Sequence, residues 1–356
     1  MGNMKKSDTK LFELSLEDVA YLRQERKINN DILPTQINDR KWGIYSVCAC
    51  WIGMNICIPA YQMASSAIAM GIDWGMALSL VLLGNLIILI PIQLNSYVGV
   101  KYGISFPIYA RLSFGIKGSN IPTLLRTIIG LFWTGILMWG GSESLYIIII
   151  NLIPKFKGNK WMMICFVIVW ILTLGIGYGG ESLLRRFEGV CAPILIFVFI
   201  ALSITVAYKL IGEGKTFYEP LFNYNFVRDN SYWRDVLACL MANIAYYSTW
   251  ALNISDLSRY VKNSKSQFVG QMLGMPGSML FIAFVGVYIT SASRILFGST
   301  IWDPNQVVAL LGTKALIVFF ALGIFLATMT TNVTTNLLPS INGILNICPK
   351  KLTYKT

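Results

Sequence analysis

Apolar runs separated by short polar interruptions dominate the chain. The runs have the length that spans a bilayer rather than that of a core helix in a small domain. Eight spans are expected, over roughly 43–70, 76–99, 120–152, 160–179, 188–211, 235–257, 270–296 and 305–337. Backbone groups in hydrocarbon must bond within their own segment, so the spans should be helices; the period-two alternation of a membrane barrel is absent. The expected fold class is therefore all-α, a polytopic membrane protein. The third run exceeds the roughly 20 residues that a bilayer requires, which predicts a strong tilt.

Two runs break their own helical pattern. In WIGMNICIPAYQ, Gly53 loosens the turn, and Pro59 lacks an amide donor and clashes with the carbonyl four residues back. In ANIAYYSTWALN, Asn243, Tyr246, Tyr247, Ser248 and Thr249 interrupt the apolar run. Interrupted helices in matching positions of two halves point to a binding site near the membrane midplane. The eighth run ends in LATMTTNVTTN, which sets five threonines and two asparagines where hydrocarbon would be expected. Positions four apart share a helix face, so these polar groups cannot all face lipid. Threonine also bonds its own i−4 carbonyl in membrane helices, a reading without a ligand.

The tail 1–41 is polar and carries no signal-peptide core, so the N-terminus is expected in the cytoplasm. Within it, SLEDVAYLRQ predicts a short amphipathic helix capped by Ser15, with Glu17 and Asp18 in its first turn. That orientation puts the expected loops bearing Lys101, Arg111 and Lys117, then Arg185 and Arg186, then Arg259, Lys262 and Lys265 inside, as the positive-inside rule requires. The loop PKFKGNK, with Lys155, Lys157 and Lys160, runs against the trend.

Composition agrees: 55% of the 356 residues are hydrophobic and 13% charged, with a mean hydropathy of +0.60. The formal charge of +12 would suggest nucleic acid in a soluble protein, but basic residues confined to short loops point to membrane topology instead. Of the seven cysteines, Cys48, Cys50, Cys57, Cys165, Cys191 and Cys239 lie in apolar segments without metal-ligand spacing, as small core residues do. No histidine occurs, so a histidine proton relay is excluded. No Ser/His, metal-ligand or paired-carboxylate constellation suggests an enzyme, and no cofactor is expected. Charged residues inside the spans are few. Glu143 is a candidate proton or gating group, or a carboxylate in a wet vestibule; Asp256 and Arg259, at i and i+3, are expected to pair at a helix end.

The stretch KYGISFPIYARLSFGIKGSNIPTLLRTIIGLFWTGILMWGG, 101–141, resembles the nucleobase:cation symporter-1 family, which includes permeases for hydantoins, allantoin, uracil and cytosine. Supporting stretches in the same order are CIPAYQMASSAIAMG, GNLIILIPIQLN, ALNISDLSRYVK and TTNVTTNLLPS. The resemblance implies a leucine-transporter-type bundle of two inverted five-helix repeats. The first repeat is then expected over 42–211, helices six to eight of the second over 235–340, and a cytoplasmic tail over 341–356. The chain ends after the eighth span, so the second repeat is expected to be incomplete. The implied function is symport of a nucleobase or related cyclic ureide with a cation across the plasma or inner membrane. The alternatives are a non-transporting remnant or binding subunit, with a second polypeptide supplying the closing helices.

Residue by residue, the resemblance implies that Trp133 stacks on a planar ring, and that Tyr247, beside Tyr246 and one turn before Trp250, covers the other face. Asn336 is the implied amide that reads the ring's edge, while Leu137 stands where the family carries a hydrogen-bonding glutamine. A packing role for isolated membrane tryptophans such as Trp139 and Trp250 is the competing reading. The resemblance further implies a sodium site made of the Gly53, Ile56 and Ala327 carbonyls with the Thr330 and Thr331 hydroxyls, although a proton could serve as the coupling ion instead.

Overall fold

Residues 4–6, 11–25, 28–222 and 231–354 are described by the computed structural model. The tail pairs β1 (Met4–Lys6) antiparallel with β2 (Phe12–Leu14), followed by α1 (Leu16–Glu25). Ser15 caps α1 as expected, its hydroxyl accepting from the Asp18 amide. The remainder of the tail expected over 1–41 includes 1–3, 7–10 and 26–27, which lie outside the described residues.

The first expected span is a bent pair, α2 (Ile44–Asn55) and α3 (Ile58–Ala69), with 56° between their axes. Next come α4 (Trp74–Tyr102), α5 (Phe106–Gly118), α6 (Asn120–Leu152), α7 (Asn159–Tyr178), α8 (Gly180–Gly212) and the short α9 (Glu219–Phe222). The sixth expected span divides into α10 (Tyr232–Tyr246), α11 (Ser248–Asn253) and α12 (Ser255–Ser258). Then follow α13 (Ser264–Phe297), α14 (Pro304–Ala309) and a rod made of α15 (Lys314–Asn332), a π-helical turn (Val333–Leu337) and α16 (Leu338–Ile347). Among the described residues, six helices are long and apolar enough to cross a membrane, and the bent α2–α3 pair makes a seventh. The sixth expected span, 235–257, is broken at its polar centre into pieces of which the longest, α10, has 15 residues, too short to cross by itself.

Local chemistry explains several boundaries. Asp73 caps α4 by accepting from the Met76 amide at 2.9 Å. Gly103 ends it at φ +68°, a conformation that a side chain resists. The segment expected as a loop carrying Arg111 and Lys117 is instead helix α5, kinked at Gly115. The last expected span, 305–337, is interrupted before Lys314 at Gly312, φ +94°, and then runs on to Ile347.

Prolines inside the helices free carbonyls, and the bundle satisfies them from elsewhere. Pro193 frees the Gly189 carbonyl, which accepts the Tyr45 hydroxyl at 2.6 Å. Pro339 frees that of Thr335, which accepts Nη2 of the buried Arg126 at 2.6 Å.

Core and periphery separate clearly. About two thirds of the most apolar window of α13 and of the Lys314–Ile347 rod is buried, against 22% for α7, so those two are central and α7 is peripheral. α13 packs on α2 at Gly270 and Gly274, one turn apart. A Cβ on either would lie within 2.8 Å of Val47 or Trp51 atoms, so small residues set the helix spacing. Apolar side chains such as Leu94, Phe132, Ile171, Phe197 and Ile204 point outward, as a lipid-facing surface requires. Cys50, Cys57, Cys165, Cys191 and Cys239 are buried and all seven cysteines are free thiols.

Candidate functional site

The two broken spans meet at Asn55. Helix α2 ends there because Pro59 cannot continue its ladder, and Ile56 and Cys57 bridge to α3. The freed end is anchored by side chains: Asn55 Nδ2 donates to the Met275 carbonyl and the Ser278 hydroxyl, each at 2.9 Å. Its Oδ1 accepts the hydroxyl of Tyr247 at 2.7 Å. Tyr247 is the residue between α10 and α11, so a single amide locks one break against the other. Trp51 adds edge contacts to both Tyr247 and Trp250, with ring centroids 6.2 and 6.3 Å away.

Beside this junction lies a cavity of about 230 Å³. Trp133, Leu137, Tyr246, Tyr247, Trp250 and Asn336 all line it, together with Trp51, Asn55, Thr331 and Thr335. The six positions expected at a substrate site thus converge from α6, the α10–α11 break and the π turn. Trp133 is 40% exposed, whereas Leu137, one turn on, is 4% exposed. The walls combine aromatic rings with the amides and hydroxyls of Asn55, Ser248, Thr249, Thr331, Thr335 and Asn336, a form suited to a flat ring with hydrogen-bonding edges. Asn336 sits in the π turn, an irregularity that frequently marks functional sites in helices.

The threonine cluster adjoins the cavity. Thr328 and Thr335 donate to their own i−4 carbonyls at 2.9 and 2.7 Å, the behaviour of structural threonines. Thr331 instead donates across to the Gly53 carbonyl at 2.9 Å. The Thr330 hydroxyl lies among the carbonyls of Gly53, at 3.1 Å, Ala327, at 2.9 Å, and its own i−4 residue Leu326, at 3.2 Å. Gly53, Ala327, Thr330 and Thr331 are therefore one group of neutral oxygens. Ile56 is wholly buried at the break, its amide donating to Ile52, but no hydrogen bond joins it to the threonines.

The charged candidates lie elsewhere. Glu143 accepts Trp139 Nε1 at 2.9 Å, one turn back on α6, and does not line the cavity. The expected Asp256–Arg259 ion pair does not form among the described residues. Asp256 Oδ1 accepts the Phe106 amide at 3.0 Å, and Arg259 Nη2 donates to the Asp31 carbonyl and the Tyr260 hydroxyl. Sequence spacing sets the two on one helix face, but α12 is a four-residue turn and each side chain finds a partner on another segment.

Sequence reasoning missed three residues at this centre. Trp51 and Asn55 gave no signal beyond lying near Pro59. Glu188 did give one, a lone acid at the start of an apolar run, which in a membrane span is a functional pointer by default. It is buried on α8, and its Oε1 accepts the hydroxyl of Thr334.

Residues 34–356 match the family described as permeases for cytosine/purines, uracil, thiamine and allantoin, and the chain belongs to that family. It is 35% identical over 335 residues to the purine-uracil permease NCS1 of Arabidopsis thaliana, covering 92% of this chain and 55% of that protein. It is 29% identical over 343 residues to the allantoin permease of Bacillus subtilis, covering 94% of this chain and 69% of the relative. The chain thus spans about half the length of the plant relative and about two thirds of the bacterial one. The solved structure of Mhp1, a nucleobase-cation-symport-1 family transporter in a closed conformation with bromovinylhydantoin bound, superposes with a TM-score of 0.79 at 22% identity. The match covers 93% of this chain and 72% of Mhp1. The inward-facing conformation of Mhp1 gives a TM-score of 0.72, also at 22% identity, over 92% of this chain and 70% of Mhp1. The fold is the leucine-transporter-type helical bundle, and the protein is a multi-pass membrane protein.

Proposed function

We propose that the chain is the substrate- and cation-binding part of a secondary transporter that moves a planar, amide-rich heterocycle, a nucleobase or cyclic ureide, together with a cation. The observation that carries this reading is the aromatic cavity shared by two broken helices, with the Trp133 indole on one wall and Asn336 on another. A flat ring needs apolar faces for its π-surface and a few polar groups for its rim, and this cavity offers both. Leu137, where a second amide would read the rim, narrows the set of rings that are held well.

In this reading Trp133, Tyr246, Tyr247, Trp250 and Asn336 hold substrate. Gly53, Ala327, Thr330 and Thr331, with Ile56 at the break, supply oxygens to a hard monovalent cation such as sodium. The donor set fits such an ion, since carbonyl and hydroxyl oxygens suit hard cations. Residues 42–211 form the first repeat, 235–340 carry helices six to eight, and the N-terminal tail faces the cytoplasm. The test is binding of radiolabelled uracil, allantoin and a hydantoin to the purified protein, with sodium and with choline. Saturable binding of one ring that tightens in sodium supports the reading; no binding of any ring in either salt refutes it.

A further inference from the structure

Helix α8 places a carboxylate against the threonine cluster, and the carboxylate has half its hydrogen-bonding capacity unused. Glu188 is 1% exposed. Oε1 accepts the Thr334 hydroxyl, while Oε2 is buried with no hydrogen-bond partner. Oε2 rests on the backbone of Gly53 so closely that a Cβ built there would lie 1.7 Å from it. Gly53 is the residue whose carbonyl accepts both Thr330 and Thr331. Glycine at 53 therefore does more than loosen a helix. It lets a carboxylate rest on the α2 backbone beside the Thr330 and Thr331 contacts, where any side chain would block it.

Among the described residues, no lysine or arginine pairs with Glu188; the ion pairs there involve Glu181, Glu219 and Asp235. An isolated buried carboxylate is costly unless a cation or several donors compensate it. The fold supplies one hydroxyl donor and leaves the other oxygen against the backbone of Gly53, the residue whose carbonyl accepts the two threonines. Such a set attracts a positive ion.

We propose that Glu188 is a direct, charge-compensating ligand of the cation held by Gly53, Ala327, Thr330 and Thr331, so that the occupied site is electrically neutral. The proposal rests on the reading of the threonine cluster as a cation site. It adds a third element, α8, to the two that the cluster already joins. A carboxylate among neutral oxygens strengthens the field on a small monovalent ion, so sodium should be preferred over larger alkali ions, and the anionic charge should dominate the affinity.

The test uses the purified full chain in sodium chloride against choline chloride at constant ionic strength, read by thermal unfolding midpoint and intrinsic tryptophan fluorescence. The wild type should show a saturable sodium response. Glu188→Gln, nearly isosteric and uncharged, should weaken apparent sodium affinity by about tenfold or more while keeping native helicity by circular dichroism. Thr330→Val with Thr331→Val should also lose the response. If Glu188→Gln binds sodium like the wild type while the threonine pair does not, the cation site stands and the role of Glu188 is overturned. If the wild type itself ignores sodium, the cation reading falls and the proposal with it. Should Glu188→Gln fail to fold, Glu188→Asp keeps the charge but withdraws it by one methylene; unchanged sodium affinity there overturns the proposal, and weakened affinity supports it.

Discussion

The hydroxyl of Thr331 donates to the carbonyl oxygen of Gly53 at 2.9 Å, across the interface between the eighth and first spans. The same threonine lines the aromatic cavity. One side chain thus touches both the proposed ion site and the proposed substrate site, and on that reading occupancy of one should alter the geometry of the other. Coupling by differential affinity is reciprocal: the factor by which ion tightens substrate equals the factor by which substrate tightens ion.

Replacing Thr330 and Thr331 with valine keeps the shape and removes both hydroxyls. Substrate binding by the double variant should lose its sodium-dependent tightening and retain weak sodium-independent binding in the cavity. Equilibrium binding of radiolabelled ring in paired sodium and choline buffers measures this. A sodium effect of wild-type size would return both threonines to a helix-packing role.

Trp133→Ala removes one aromatic wall of the cavity. Substrate affinity should fall by about 1 kcal/mol or more, the value of a lost stacked face, roughly fivefold in Kd. Thermal stability should change little, because the indole is 40% exposed and faces the cavity. Unchanged affinity would count against stacking on this residue.

Gly53→Ala forces a methyl group into the position of Glu188 Oε2, 1.7 Å from the ideal Cβ. The carboxylate must move, and overpacking of this kind costs about 1–3 kcal/mol. Unfolding midpoint and sodium response should both drop. Gly135→Ala is the control, since nothing lies within 4 Å of its ideal Cβ. Equal stability of the two variants would contradict the packing described.

Asn55→Ala strands the Tyr247 hydroxyl, held now by the amide oxygen at 2.7 Å, and removes the amide's bonds to the Met275 carbonyl and the Ser278 hydroxyl. An unsatisfied buried group costs about 1–3 kcal/mol. The variant should unfold at lower temperature and bind ring more weakly, since the two breaks lose their common anchor. A wild-type melting curve would show that the junction is held by other contacts.

Helix positions were largely legible from the sequence because span length and apolar periodicity are local properties. The expected 120–152 coincides with Asn120–Leu152, and 160–179 lies within a residue of Asn159–Tyr178. The break at Pro59 was legible for the same reason: a missing amide acts on its own helix. Helix α5 was not, because its basic residues read as a loop between spans and its apolar face is short. The Asp256–Arg259 pair failed because i,i+3 spacing gives a shared face but no information on competing partners from other segments.

What the sequence by itself determined, then, is a many-helix membrane protein, two broken spans, and a set of aromatic and threonine positions whose residue types suit a ring and a cation. The tertiary structure decided which of these meet. Thr331 and Thr335 are the same residue type four positions apart, yet Thr335 bonds its own turn and Thr331 bonds Gly53. Glu188 and Gly53 are 135 residues apart, and only packing of α8 against α2 sets a carboxylate on a glycine. Helix formation depends on neighbours within a few residues, whereas a binding site depends on which helix faces interlock, and that is fixed by steric fit over the whole bundle.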